Sequence, residues 1–170
     1  MLTGTADLNG TGNGLNNSLI GNSGDNVLKG GGGHDKLKGM SGDDKLYGGD
    51  GNDRLEGGRD DDRLYGGKGE DRLNGGSGDD RLDGGSGNNR LTGGSGEDVF
   101  VFNKKHGTDV VTDFRVDHDR IDVSGISGVS SMADLTFMNT TQGIAIANAS
   151  AILVLNGVKE SDLDSSDFIF

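Results

Sequence analysis

Cysteine and proline are both absent from the 170 residues, histidine occurs three times, and hydrophobic residues make up only 30%. Without cysteine no disulfide can staple the fold, and without proline no slow prolyl isomerisation delays folding. The three histidines, His34, His106 and His118, form no HExxH zinc motif. There is also no nucleophile elbow and no phosphate-binding loop. Carboxylate neighbours such as Asp43 and Asp44 could do acid–base work, but their place in a repeating frame reads as turn chemistry, so no catalytic constellation is expected. No segment approaches the length of a membrane-spanning helix. Met1-Leu2-Thr3-Gly4 lacks the basic region and apolar stretch of a secretory signal. The net charge of −12 and pI near 4.4 argue against nucleic acid, which needs clustered cations. The length fits one domain or two small subdomains. A mean hydropathy of −0.54 is low for a conventional core, and the polar, charged, glycine-rich composition is that of a chain unable to fold unaided.

What the chain does contain is glycine, 34 residues, of which 27 lie between positions 12 and 101. They recur in nonapeptides that from Gly30 read GGGGHDKLK, GMSGDDKLY, GGDGNDRLE, GGRDDDRLY, GGKGEDRLN, GGSGDDRLD, GGSGNNRLT and GGSGEDVFV, preceded by GNGLNNSLI and GNSGDNVLK. Ten copies of Gly-Gly-x-Gly-x-Asp-x-Leu-x run without a gap. Positions one to six read as a tight turn, because glycine reaches φ > 0 without steric cost. Positions seven to nine read as a short strand whose middle side chain points inward. That side chain is Leu19, Leu28, Leu37, Leu46, Leu55, Leu64, Leu73, Leu82, Leu91 and finally Phe100, a thin core of one apolar residue per nine.

Position six carries the carboxylates Asp35, Asp44, Asp53, Asp62, Asp71, Asp80 and Asp98, with Asn17, Asn26 and Asn89 in the other copies. Calcium takes six to eight oxygen ligands from carboxylates and carbonyls at roughly 2.3–2.6 Å. A glycine turn leaves carbonyls bare and the aspartate supplies charge, but one turn cannot fill the shell, so two turns must share an ion.

The nonapeptide resembles the calcium-binding repeat of the RTX (hemolysin-type) family over residues 12–101. The resemblance implies an all-β fold: a right-handed parallel β-roll, two nonapeptides per coil, with turns on one side two repeats apart. It also implies the ligand set. One turn gives carbonyls from positions two and four and its Asp; the turn two repeats later gives carbonyls from positions one and three and its Asp. The 35/53 pair would then use Gly31, Gly33, Asp35, Gly48, Asp50 and Asp53, and the 44/62 pair Met40, Gly42, Asp44, Gly57, Arg59 and Asp62. The 53/71 pair would use Gly49, Gly51, Asp53, Gly66, Lys68 and Asp71, and the 62/80 pair Gly58, Asp60, Asp62, Gly75, Ser77 and Asp80. The 80/98 pair would use Gly76, Gly78, Asp80, Gly93, Ser95 and Asp98. Pair 71/89 (Gly67, Gly69, Asp71, Gly84, Ser86, Asn89) and pair 26/44 each have one Asn and should bind more weakly. Pair 17/35 is weaker still, since Leu15 replaces a glycine. Asp60 also replaces a fourth-position glycine, which makes 62/80 the least secure complete pair. About five strong calcium ions and two or three weaker ones are expected; five would add +10 to the net charge of −12.

Beyond Val101 the texture changes. Segments 99–102, 109–114, 119–124, 135–138, 143–147 and 151–155 read as strands, the last two joined at Asn148-Ala149-Ser150. Ser130–Leu135 and Glu160–Leu163 read as short helical turns. This is a β-rich cap for the open edge of the roll. DVVTDFRVDHDRIDVS resembles the segment after the repeats in serralysin proteases and in R-modules of mannuronan epimerases. The ending Asp167-Phe168-Ile169-Phe170 is similar to the type I secretion signal of serralysin-type exoproteins.

The expected organisation is a lead-in strand over 1–11, the roll over 12–101 and a cap with the export signal over 102–170. The expected function is a non-catalytic, monomeric, calcium-binding module of a secreted, extracellular bacterial protein, folding on calcium after passage through a type I exporter, with calcium standing in for disulfides. Lys36, Lys45, Arg54, Arg63, Arg72, Arg81 and Arg90 at position seven balance the acidic turns. The same ladder gives an alternative, binding of an acidic polysaccharide such as alginate. A second alternative is a non-catalytic fragment of a larger secreted protease, lipase or glycanase whose catalytic domain lies upstream.

Overall fold

The computed structural model describes residues 1–103, 107–148 and 151–170. Its strands in chain order are β1 (Asn9–Thr11), β2 (Ser18–Ile20), β3 (Val27–Gly32), β4 (Lys36–Met40), β5 (Lys45–Asp50), β6 (Arg54–Arg59), β7 (Arg63–Lys68), β8 (Arg72–Ser77) and β9 (Arg81–Ser86). They continue as β10 (Arg90–Ser95), β11 (Val99–Val101), β12 (Thr108–Val111), β13 (Arg120–Asp122), β14 (Thr136–Asn139), β15 (Gly143–Asn148), β16 (Ala151–Asn156) and β17 (Phe168–Ile169). Three single-turn 3-10 helices, Met132–Asp134, Glu160–Asp162 and Ser165–Asp167, are the helical content of the described residues.

Odd and even strands fall into different sheets. One runs β1-β3-β5-β7-β9-β11-β13-β17 and is parallel throughout; the other runs β14-β15-β16-β12-β10-β8-β6-β4-β2. Each strand thus pairs with the strand two nonapeptides away, Leu46 with Leu64 and Leu55 with Leu73. The result is a parallel β-roll, as the repeat implies. Leu28, Leu37, Leu46, Leu55, Leu64, Leu73, Leu82 and Leu91 are buried in a single file between the sheets.

The strands are longer than the three residues expected. β5 to β10 each span six, from position seven through position three of the next copy. The reason is the perfect repeat: Gly49 and Asp50 pair with Gly67 and Lys68, so the ladder runs on through the glycines. Only positions four to six are left to turn the chain.

Both sheets continue past the repeats. β12 pairs in parallel with β10, and β16 with β12; β13 pairs with β11, and β17 with β13. The antiparallel β14, β15 and β16 then fold over the end. Phe100, Phe102, Phe114, Ile121, Ile144, Leu153 and Phe168 make this core wider and more aromatic than the leucine file. The strand expected over 109–114 stops at Val111. Thr112 to Phe114 leave the sheet, where Asp113 turns back onto the Gly93 and Gly94 amides. The turn expected at Asn148-Ala149-Ser150 falls partly outside the described residues.

Candidate metal centre

Each turn is held open by its own glycines. At position two, Gly49 has φ +115°, and at position four Gly51 has φ +124°, a region L side chains rarely adopt. The first glycine is needed for a different reason. A Cβ on Gly48 would strike Asp53 Oδ2 and the Gly66 carbonyl of the next coil, so those two oxygens face one small space. Likewise the Gly49 carbonyl lies where a side chain on Gly67 would stand, and the Gly51 carbonyl where one on Gly69 would stand.

The aspartates form two ladders. Along the first, the amides of Asn17, Asp35, Asp53 and Asp71 donate to Oδ1 of Asp35, Asp53, Asp71 and Asn89 at 2.6–2.9 Å. Along the second, the amides of Asn26, Asp44, Asp62 and Asp80 donate to Oδ1 of Asp44, Asp62, Asp80 and Asp98 at 2.7–3.1 Å. The seven aspartates expected from the sequence therefore all stand in line, at 1–3% exposure. In each the other oxygen, Oδ2, is buried with no hydrogen-bond partner among the described residues. A buried carboxylate oxygen without a partner is costly.

The electrostatics carry that strain. Burial pushes the carboxyl groups up, to about 6 for Asp44 and Asp98, about 7 for Asp71 and Asp80 and about 8 for Asp62. Asp53 is raised for the same reason. The ladder hydrogen bonds pull the other way and neighbouring carboxylates add to the rise. Positive charge placed at each Oδ2 would relieve this.

Among the described residues no three His, Cys, Asp or Glu side chains cluster as a metal site. Oδ2 of Asp35, Asp44, Asp53, Asp62 and Asp71 each lies beside the first-position carbonyl of the turn two repeats on, a hard oxygen pairing suited to calcium rather than zinc. The fit is therefore good. His34 is exposed at the surface, its Nδ1 accepting from the Asn52 amide, and His118 lies exposed in a turn; His106 lies outside the described residues.

Two buried acids escape the nonapeptide frame. Asp109 Oδ1 accepts from the Asn89 amide at 2.9 Å, and Asp119 Oδ1 from the Asp98 amide at 3.1 Å, each adding a rung to a ladder. They follow the previous rung by 20 and 21 residues instead of 18. A signal was present nonetheless: Asp109-Val110-Val111 and Asp119-Arg120-Ile121 keep the Asp-x-apolar spacing of Asp53-Arg54-Leu55. Met40, with φ +97°, is a further surprise, a side chain held where the frame has glycine.

Comparison with known proteins agrees with this geometry. The RTX calcium-binding nonapeptide repeat matches in four copies, over residues 11–46, 38–73, 47–82 and 74–103. No curated protein matches by sequence. The AlgE6R3 subunit of the Azotobacter vinelandii mannuronan C5-epimerase is a similar solved structure, at 28% identity and TM-score 0.54, covering 72% of this chain and 80% of its own. The extracellular lipase LipA from Serratia marcescens shares the fold at 17% identity and TM-score 0.52, with 97% of this chain aligned to 39% of the lipase. The chain belongs to the RTX calcium-binding nonapeptide repeat family.

Proposed function

We propose that the chain is a calcium-folded module of a secreted protein, kept unfolded where calcium is scarce and assembled where it is plentiful. The observation that carries this is the row of seven buried Oδ2 atoms without a hydrogen-bond partner among the described residues. Calcium supplies the positive charge that makes their burial favourable. In each gap the earlier turn would offer the carbonyls of positions two and four and its Asp. The later turn would offer the carbonyls of positions one and three and its Asp. Gly49, Gly51, Asp53, Gly66, Lys68 and Asp71 are one such set. The crowding of Asp53 Oδ2, the Gly66 carbonyl and the Gly49 carbonyl between the same two turns supports it. Within the nonapeptide frame five gaps have an Asp on both sides, so about five strong ions and two or three weaker ones are expected.

The 62/80 gap contains Asp60, whose φ is +71°. Its Oδ2 accepts from the Gly42 amide at 3.0 Å, an anchor that offsets part of the backbone strain. Export through a type I system, with Asp167 to Phe170 as the signal, and folding in millimolar extracellular calcium complete the proposal. The cap over 102–170 would close the roll over 12–101. The module itself does no catalysis on this reading, even where it is part of a longer enzyme. The test is an ion count on the full chain by calorimetric titration, with anomalous scattering to place each ion. About five ions in the Asp–Asp gaps are expected; two or fewer would mean the turns are not paired two repeats apart.

A second reading, binding of an acidic polysaccharide, is favoured by one observation. Lys36, Arg54, Arg72 and Arg90 line one edge of the roll beside His34, Asn52, Glu70 and Asn88, and none of the four makes an ion pair among the described residues. The similarity to the epimerase subunit adds weight. Retention on an alginate gel, lost when Arg54, Arg72 and Arg90 are changed to Gln, would establish it.

A further inference from the structure

The second ladder does not end where the repeats end. The link from the Asp98 amide to Asp119 Oδ1 has the same length, 3.1 Å, as the link from the Asp80 amide to Asp98 Oδ1. The longer step to Asp119 gives room for Arg115 to turn inward. Its Nη2 donates to the Gly96 carbonyl and, at 2.9 Å, to Asp119 Oδ1, and stands 3.9 Å from Asp98 Oδ2. Gly96, Asp98 and Asp119 are the counterparts, one coil on, of Gly78, Asp80 and Asp98. The guanidinium thus occupies the gap that, one coil earlier, is assigned to an ion. The backbone of the same segment is fixed around it: the Arg115 amide donates to Asp119 Oδ2 at 2.8 Å, and Asp113 takes the Gly93 and Gly94 amides at 3.0 and 2.9 Å.

We propose that Arg115 is a resident cation that takes the place of calcium between Asp98 and Asp119. The inference rests on the calcium reading of the upstream turns. The side chains of Asp98 and Asp119 are 0% and 1% exposed, and two carboxylates so buried need a positive charge between them. Arginine is always charged, and here its Nη2 alone faces the Gly96 carbonyl and both carboxylates. The last turn of this ladder therefore carries a positive charge of the chain's own, which offsets one of its two carboxylates. It draws no ion from solution. The preceding turns, whose charge must come from solution, add to it from the C-terminal side.

The experiment places ions in the full chain and in Arg115→Gln by anomalous scattering from crystals grown in calcium, with calorimetric stoichiometry in solution. The wild type should hold ions in the upstream gaps and none between Asp98 and Asp119. Arg115→Gln should gain one ion there, raising the stoichiometry by one. An ion between Asp98 and Asp119 in the wild type, with Arg115 displaced, overturns the proposal, and so does a folded variant that gains none. If the variant does not fold in millimolar calcium, the wild-type positions decide alone. Empty gaps at 35/53 through 80/98 would instead overturn the calcium reading beneath it, and are distinguished by the upstream sites being vacant.

Discussion

The amide of Asp53 donates to Oδ1 of Asp71 at 2.8 Å, while the amide of Asp35 donates to Oδ1 of Asp53 at 2.7 Å. Each interior aspartate is therefore both an acceptor for the coil before and a donor to the coil after. Its Oδ2 is left on a third side with no hydrogen-bond partner among the described residues. The ladders couple neighbouring gaps, so their ions should bind cooperatively.

That coupling predicts unequal losses. Asp53 borders two complete gaps, so Asp53→Ala should weaken two sites together and shift the calcium midpoint of folding upward several-fold. Asp98 borders one complete gap and the Arg115 position, so Asp98→Ala should remove one ion. Titration calorimetry on both variants checks this; equal losses would contradict the shared-ligand scheme.

Acidity should act on the calcium-free chain. The folded carboxyls of Asp62, Asp71 and Asp80 are raised to about 8, 7 and 7, above an unfolded value near 4. Between those limits the ion-free roll binds more protons than the unfolded chain, so its stability rises as pH falls and is lost as pH climbs through the folded values. In excess chelator, β signal in circular dichroism should grow as pH is lowered from about 8 to about 5. A signal that is flat, or that falls on acidification, would count against buried uncompensated carboxylates.

Met40 is strained without compensation. At φ +97° and 38% exposure its side chain gains little from packing. Met40→Gly should stabilise the calcium-bound roll by roughly 1 kcal/mol. Asp60→Gly should gain less, because it gives up the bond from the Gly42 amide. Thermal unfolding in saturating calcium would rank the two; a destabilised Met40→Gly would contradict the strain argument.

The C-terminus can be separated from the sites. Phe168 is buried and stacks on Phe170 at 5.7 Å, with Ile169 on the other side, the alternation expected of a strand. Deleting Asp167 to Phe170 removes β17 and the Asp167 carboxylate that accepts from the Asp117 amide. Secretion through a cognate type I system should be abolished and the cap loosened, while the five central gaps keep their calcium. Undiminished secretion would refute the signal assignment.

The repeat was legible because each nonapeptide writes the same local answer: glycine for the turn, Asp for the gap, Leu for the core. The repeat alone left open which turns are partners; the RTX resemblance supplied the two-repeat pairing that places Leu46 on Leu64. Where the period slips, the reading faltered. Asp109 and Asp119 are rungs in space but out of phase in sequence. Arg115 could not be read at all, because its role depends on a loop returning to Gly96. The six-residue strands were shortened because Gly-Gly reads as turn in isolation; pairing with identical neighbours overrides that propensity.

The central claim is that calcium and folding are one event. Far-ultraviolet circular dichroism of the full chain at pH 7.5 to 8, in excess chelator and then in millimolar calcium or magnesium, tests it most directly. The account predicts a largely disordered spectrum in chelator, a cooperative rise of β signal with calcium, and no such rise with magnesium, which demands a tighter octahedron. A native β spectrum in excess chelator at that pH would contradict it.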